Sequence, residues 1–384
     1  MKKIYKVIPL YLPQFHTIPE NDEWWGKGFT EWINVKNAKP LFNGHNQPRV
    51  PLNDNYYDLS DVETLKWQCK TAKDYGIYGF AMYHYWFNGH KLLEKPMEML
   101  LANPDIDINY CISWANHDWT DAWKCKDCAP RTLIAHDFDD ENDWVNHFNY
   151  MLKFFKDPRY MKENNKPILI IYIPNLISKL NKLLDKWTEI AKENGFDGLT
   201  YIYQSAASSY DGNWDKSKFS YGIEMNPQYI NLLTQSQKEP QQISFRLVKI
   251  VRKIKKALGI KRSLDFRGYN HKEVRRLDYD VCWRSIISHK PVSRKMIPCA
   301  FTDWDNTPRH KANGYLYDGA DPDKFGKYFY ELLKKSDKEY DTDMIFVFAW
   351  NEWAEGGYLE PDSRNGFGYL ENIKKSLDKF QCSD

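Results

Sequence analysis

Eight short runs of apolar, β-branched and aromatic residues punctuate the chain: 4–11 (IYKVIPLY), 77–83 (IYGFAMY), 109–114 (NYCISW), 168–173 (ILIIYI), 199–204 (LTYIYQ), 220–225 (SYGIEM), 297–302 (IPCAFT) and 344–350 (MIFVFAW). Their length and composition predict strands. Between several of them apolar residues recur at helical spacing. This predicts helices from Asp61 to Tyr75 with Asp61 as N-cap, Asp143 to Lys156, Ser178 to Asn194 ending at Gly195, Asp323 to Lys335, and Tyr369 to Phe380. Near-continuous apolar strands alternating with helices imply a parallel sheet buried on both faces. Eight such units predict a (β/α)8 TIM barrel forming one domain over 1–384, with a long N-terminal loop (13–60) and a basic helical insertion (232–285). A doubly wound open sheet is the alternative, but no Gly-rich phosphate or dinucleotide fingerprint follows any strand.

In a barrel the C-terminal strand ends build the site. Those ends carry Gln14, Phe15 and His16; His84, Tyr85 and Trp86; Trp114, Asn116, His117, Asp118 and Trp119; Asn175; Gln204; Asn226; Asp303, Trp304 and Asp305; and Asn351, Glu352, Trp353 and Glu355. Polar loop starts and aromatic barrel plugs explain any single cluster, but not their repetition. Composition points the same way, since 15 Trp, 26 Tyr and 20 Phe lie largely among hydrogen-bonding residues. Amphipathic rings beside polar groups suit hydroxyl-rich ligands such as sugars. Tyr11, Trp25, Trp86, Trp119 and Trp304 are candidate stacking platforms, with barrel-core packing as the alternative.

Glycosidic chemistry needs one acid to protonate the leaving oxygen and a second carboxylate on the other side of the oxocarbenium-like transition state. Trp350-Asn351-Glu352-Trp353-Ala354-Glu355-Gly356-Gly357 offers both. Residues three apart on a strand face opposite sides, so Glu352 and Glu355 reach one pocket only if the chain leaves strand geometry near Asn351. Gly356-Gly357 allows that turn. Exposed loop charges are the competing reading.

The run Asn351 to Gly356 with Tyr358-Leu359-Glu360-Pro361-Asp362 resembles the C-terminal signature of the WbsX-type polysaccharide biosynthesis proteins, also described as glycoside hydrolase family 99-like. Further matches follow in order at Tyr11 to His16, Trp24 to Trp32, Tyr83 to Phe87, Trp114 to Asn116 and Asp303 to Arg309. The resemblance implies a glycan-active barrel of bacterial surface-polysaccharide (O-antigen or capsule) metabolism. It implies the chemistry of retaining endo-α-mannosidases, in which Glu352 would take the proton of the sugar's own 2-hydroxyl, giving a 1,2-anhydro sugar. Glu355 would protonate the leaving oxygen and later activate water. Tyr11, Gln14, His16, Trp25, His84, Tyr85, Trp86, Asn116, Trp119, Asp303, Trp304, Asp305, Asn351 and Trp353 are the expected substrate contacts. The chain departs from the family at 114–123: where relatives read W-A-N-E-N-W-T-R-R-W, it has W-A-N-H-D-W-T-D-A-W. A glycosyltransferase with a nucleotide- or lipid-linked donor and a non-catalytic glycan-binding scaffold are the alternatives.

Asp303-Trp304-Asp305 is formally a D-x-D, which in transferases can hold a divalent ion; within D-W-D-N-T-P-R it reads rather as a bond to sugar hydroxyls or a brace of the barrel mouth. His16 and His84 lack metal-ligand spacing, and no metal or other cofactor is expected. Cys125 and Cys128 form a lone C-x-x-C, half of a zinc site or an ordinary polar loop. Seven cysteines without a framework argue against a disulfide scaffold.

The formal charge is +2, from 54 basic and 52 acidic residues. That is too small for a chain-wide nucleic-acid surface. Phe245 to Arg262 nevertheless holds eight basic residues and no acid, so the remainder is acidic on balance. Leu247, Ile250, Val251, Ile254 and Leu258 share one helical face there. The segment reads either as a helix lying on an anionic membrane or as a solvated helix packed on the barrel. Lys6, Pro9 and Pro13 interrupt a signal-like N-terminus, and no run reaches the ~18 apolar residues of a membrane span. The expected location is the cytoplasm, peripheral to the inner membrane if the basic segment binds it, with an oligosaccharide or lipid-linked glycan as partner.

Overall fold

In the computed structural model, which describes residues 3–121, 130–205, 214–238 and 273–383, the strands stand side by side in parallel. They are β1 (Lys6–Tyr11), β2 (Gly79–Phe87), β3 (Asn109–Trp114), β4 (Lys166–Ile171), β5 (Thr200–Ser205), β6 (Tyr221–Glu224), β7 and β8 (Met344–Phe348). β7 comes in two pieces, Met296–Ile297 and Cys299–Phe301. Pro298 between them has no N–H to give. The first piece pairs with β6 and the second with β8, and the Pro298 carbonyl accepts from Phe346 N at 3.0 Å. With β8 paired to β1 through Lys6↔Met344 to Pro9↔Val347, the staves run round a (β/α)8 barrel. All eight predicted strands are present, with ends shifted by a few residues.

β8 is buried along its whole length and β4 at all but its first residue, as a parallel sheet covered by helices demands. Gly79 sits where a Cβ would lie 2.2 Å from the Asn109 carbonyl oxygen, so only glycine lets β2 and β3 approach.

The outer layer contains α1 (Val62–Asp74), α2 (Lys95–Ala102), α3 (Glu141–Phe155), α4 (Leu180–Glu193), α5 (Gln228–Lys238), α6 (Tyr279–Ser288), α7 (Pro322–Glu339) and α8 (Gly368–Cys382). The five predicted helices are among them. Asp61, Asp140 and Asp321 cap three, each accepting from a backbone N–H of the first turn. Leu180, Leu183, Leu184, Trp187, Ile190 and Ala191 form the buried stripe of α4. The expected N-terminal loop departs from simple coil, since it contains short helices at Pro19–Trp25 and Glu31–Asn37.

Residues 239–272 lie outside the described residues, and with them Phe245 to Arg262; so do Cys125 and Cys128. Among the described residues no helix is long and apolar enough to cross a membrane.

Leu184 is fully buried under α4. Leu184→Ala is expected to lower the unfolding free energy by about 2–5 kcal/mol, read as a lower urea midpoint at unchanged slope.

Candidate active site

The chain leaves strand geometry immediately beyond β8. Asn351–Glu352 pairs antiparallel with Gly357–Tyr358, and Trp353–Glu355 makes one tight turn between them. Gly356 closes the turn at φ 71, where a Cβ would lie 2.7 Å from the Asp305 nitrogen. Asn351 anchors the loop: its Oδ1 accepts from Leu12 N at 2.8 Å and its Nδ2 donates to Leu12 O at 2.9 Å. Glu352 and Glu355 thereby reach the same cavity of about 300 Å³ at the C-terminal mouth, together with Gln14, Trp25, Tyr83, Tyr85, His117, Asp118, Trp119, Tyr172, Met225, Gln228 and Arg309.

Arg309 joins the pair. Its Nη1 donates to Glu355 Oε1 and its Nη2 lies 3.3 Å from Glu352 Oε2. On its other edge Nε and Nη2 each stand 3.2 Å from Glu31, which is wholly buried at the start of helix Glu31–Asn37. One guanidinium thus faces three carboxylates. Burial chiefly, and then the Glu355 charge, raises Glu352 to about 8, with Arg309 pulling the other way. Burial also raises Glu355 against Arg309. Glu355 has the closer arginine contact, which favours its charged form over that of Glu352. The same environment acts on the tyrosines: burial and then Glu355 push Tyr172 up to about 12, and burial followed by Glu352 carries Tyr83 well above its usual value.

Asp305 holds the arginine's short helix, Thr307–His310, in place. Its Oδ1 accepts from Thr307 N and Oγ1 at 3.0 and 2.6 Å, and its Oδ2 accepts from Gln47 at 2.7 Å and His45 Nε2 at 2.9 Å. Leu41 N donates to His45 Nδ1, which leaves Nε2 as the donor. Burial works against the Asp305 charge, but these bonds and Arg49 hold it down to about 2. Asp303 pairs with Arg49 Nη2 at 2.8 Å.

Of the sixteen residues singled out from sequence, Gln14, Trp25, Tyr85, Trp119, Glu352 and Glu355 line the cavity. The other ten do not. Strand parity splits the second cluster: Tyr85 faces the cavity, whereas His84 and Trp86 face α3, with His84 Nε2 2.9 Å from His147 Nε2 and Trp86 Nε1 donating to Asp143. Burial lowers His84 to about 3, keeping it neutral. Asn116 clamps the Ile173 backbone with two bonds, as Asn351 does Leu12. Tyr11 donates to Gln68, Gln68 to Glu360, and Trp353 and Tyr57 also donate to Glu360, a network behind the site. His16 is buried. Trp304 stacks on Tyr315, and Asp303 and Asp305 serve as the brace described above. Among the described residues no group of three or more His, Cys, Asp or Glu could hold a metal ion.

His117 and Asp118, named at a strand end but not among the sixteen, line the cavity too, whereas Tyr83, Tyr172, Met225, Gln228, Arg309 and Glu31 were named neither at a strand end nor as contacts. Tyr83 shares parity with Tyr85, a signal present in the strand. Arg309 and Glu31 belong to the D-W-D-N-T-P-R and F-T-E-W runs, where their charge next to a carboxylate-rich mouth was the available clue.

The architecture is that of a (β/α)8 barrel with a buried carboxylate pair at its C-terminal mouth. By sequence the chain matches the family model described as Glycosyltransferase WbsX over residues 7–373, and it belongs to that family. It is 31% identical over 378 residues to the uncharacterised protein WxcX of Xanthomonas campestris pv. campestris, covering 97% of this chain. It spans about half the length of the curated relatives it matches, 49%. In fold it is similar to the family 99 endo-α-mannosidase of Bacteroides thetaiotaomicron, with a TM-score of 0.56, 13% identity, and 98% of this chain and 97% of that one covered. A glycoside hydrolase-like protein gives a TM-score of 0.56 at 12% identity, covering 98% and 94%.

A carboxyl group raised by burial favours the folded state while protonated, and that advantage fades as pH climbs from its unfolded value through its folded one. For Glu352 this window runs from 4.5 to about 8. Glu352→Gln is therefore expected to melt a few degrees higher than the parent above pH 8, with the gap closing toward pH 4.5. Equal melting temperatures at both ends would show that Glu352 is not held protonated.

Proposed function

We propose that this chain is a glycan-active enzyme in which Glu352 and Glu355 act as a general acid–base pair on an α-glycosidic bond of a bacterial surface polysaccharide or its precursor. The observation that supports this reading best is the pair itself, buried on one arginine beside an aromatic-lined cavity. Glu352 accepts the proton of the sugar's 2-hydroxyl as that oxygen attacks the anomeric carbon. The bond to the leaving oxygen breaks, and Glu355 supplies its proton. In the second half Glu355 takes a proton from the incoming hydroxyl, which opens the 1,2-anhydro ring, and Glu352 returns the first proton to O2. Two inversions give retention.

The first step requires the proton on Glu355, whereas without substrate it favours Glu352. A 2-hydroxyl donating to Glu352 stabilises the charged form, and a glycosidic oxygen beside Glu355 stabilises the protonated one. Substrate binding thus moves the shared proton to the position the reaction needs. With water as the incoming hydroxyl the reaction is hydrolysis; with a sugar hydroxyl it is transfer, the reading favoured by the description of the family. A donor and acceptor screen with product analysis separates them.

Because the free pair needs one proton, kcat/KM is expected to fall above about pH 8. A profile flat through that value would count against a shared proton. Glu355→Gln should cost about a hundred- to ten-thousandfold in kcat/KM on a natural glycan and recover kcat/KM, but not the rate of the second half-reaction, on a substrate whose aryl leaving group needs no protonation. Glu352→Gln should be equally damaged and not recover; if near-normal turnover survives in either variant, that residue is not part of the mechanism.

A further inference from the structure

A second cavity of about 610 Å³ shares a wall with the first, and that wall is Trp25 and Arg309. The charge of the two chambers is opposite. The first contains Glu352, Glu355 and Asp118, while the second has Lys39 and Lys311 and no acidic residue among its lining. Neither lysine has a carboxylate partner among the described residues. Lys311 follows Arg309 by two residues and is held at φ 52, a left-handed conformation that a non-glycine residue adopts at a cost. Asn34 and Asn37 add amide donors and acceptors. Of the six large apolar side chains exposed among the described residues, Ile33 and Leu41 both stand on this chamber. They offer an apolar surface to the C–H face of a sugar ring.

We propose that this basic chamber binds an anionic group, phosphate or carboxylate, carried by the glycan unit adjoining the sugar at which Glu352 and Glu355 act. The adjacency to a reacting sugar rests on the function proposed above; the anion site itself does not. Two unpaired ammonium groups without a competing acid are a ready counter-charge for such a group. The Trp25–Arg309 wall keeps it apart from the carboxylates, whose repulsion would otherwise weaken binding.

The test is isothermal titration of the full chain with inorganic pyrophosphate, glucose 1-phosphate and glucuronic acid, with uncharged glucose as reference. At least one anion should bind more tightly than glucose. Its affinity should fall about tenfold in the Lys39→Ala/Lys311→Ala double variant and survive in Lys39→Arg/Lys311→Arg. Binding of the phosphates alone identifies a phosphate-linked sugar; binding of glucuronic acid identifies an acidic one. Absence of anion binding, or equal affinities in the parent and the alanine variant, would overturn the proposal. Because the readout needs no turnover, failure of the catalytic reading would leave this result standing.

Discussion

Everything at the barrel mouth depends on Arg309 being asked to neutralise more charge than it carries. At about 3 Å and an effective dielectric of about 20, one opposite-charge contact is worth about 5 kcal/mol, whereas removing an ion from water costs several kcal/mol. A single guanidinium can offset one or two buried carboxylates on those terms. Here it meets Glu31, Glu352 and Glu355, all within its first contacts. Burial first, and then the charge of Glu355, raises Glu352 against the pull of Arg309. Two adjacent carboxyl groups whose charged forms are both disfavoured are suited to exchanging a proton, so the electrostatic deficit that weakens the fold is also the feature on which the proposed chemistry rests.

That deficit can persist only if the surrounding chain is fixed. Glu31 arrives from the N-terminal segment, whose backbone is tied back when Glu31 N donates to Gln14 O. The same segment sends His45, Gln47 and Arg49 under the arginine's helix to hold Asp305 and Asp303. Asp305 N also donates to the Glu355 carbonyl at 2.7 Å, so the brace and the turn carrying the second carboxylate are one unit. Residues 13–60 are therefore part of the mouth rather than an appendage to it.

The strands and the outer helices were legible because near-continuous apolar runs and amphipathic stripes survive translation into three dimensions with little ambiguity. The carboxylates were legible for a similar reason: a glycine pair after two acids implies a turn, and the turn brings them together. Ten of the expected contact residues fall away from the cavity, and for His84, Trp86 and Asn116 the reason is that strand-end clusters were read without parity. In β2, Tyr83 and Tyr85 point inward while His84 and Trp86 pack on α3. Asn116 and Asn351 illustrate another ambiguity, since an amide that can grip a sugar hydroxyl can equally replace a peptide group and pin a loop. Arg309 and Glu31 were hidden because their partners are remote in sequence, and charge pairing over such separations leaves no local pattern.

The disposition of charge around Trp25 and Arg309 follows from the same constraint. A further cation inside the first chamber would pull Glu352 and Glu355 back toward the ordinary carboxylate range. The cations proposed to hold an anionic substituent stand on the far side of a partition formed by an aromatic ring and an already committed guanidinium. Lys39 and Lys311 occupy that position. An acidic chamber and a basic one divided by a single wall is thus the arrangement expected if one end of a ligand requires negative charge for its chemistry and the other requires positive charge for its capture.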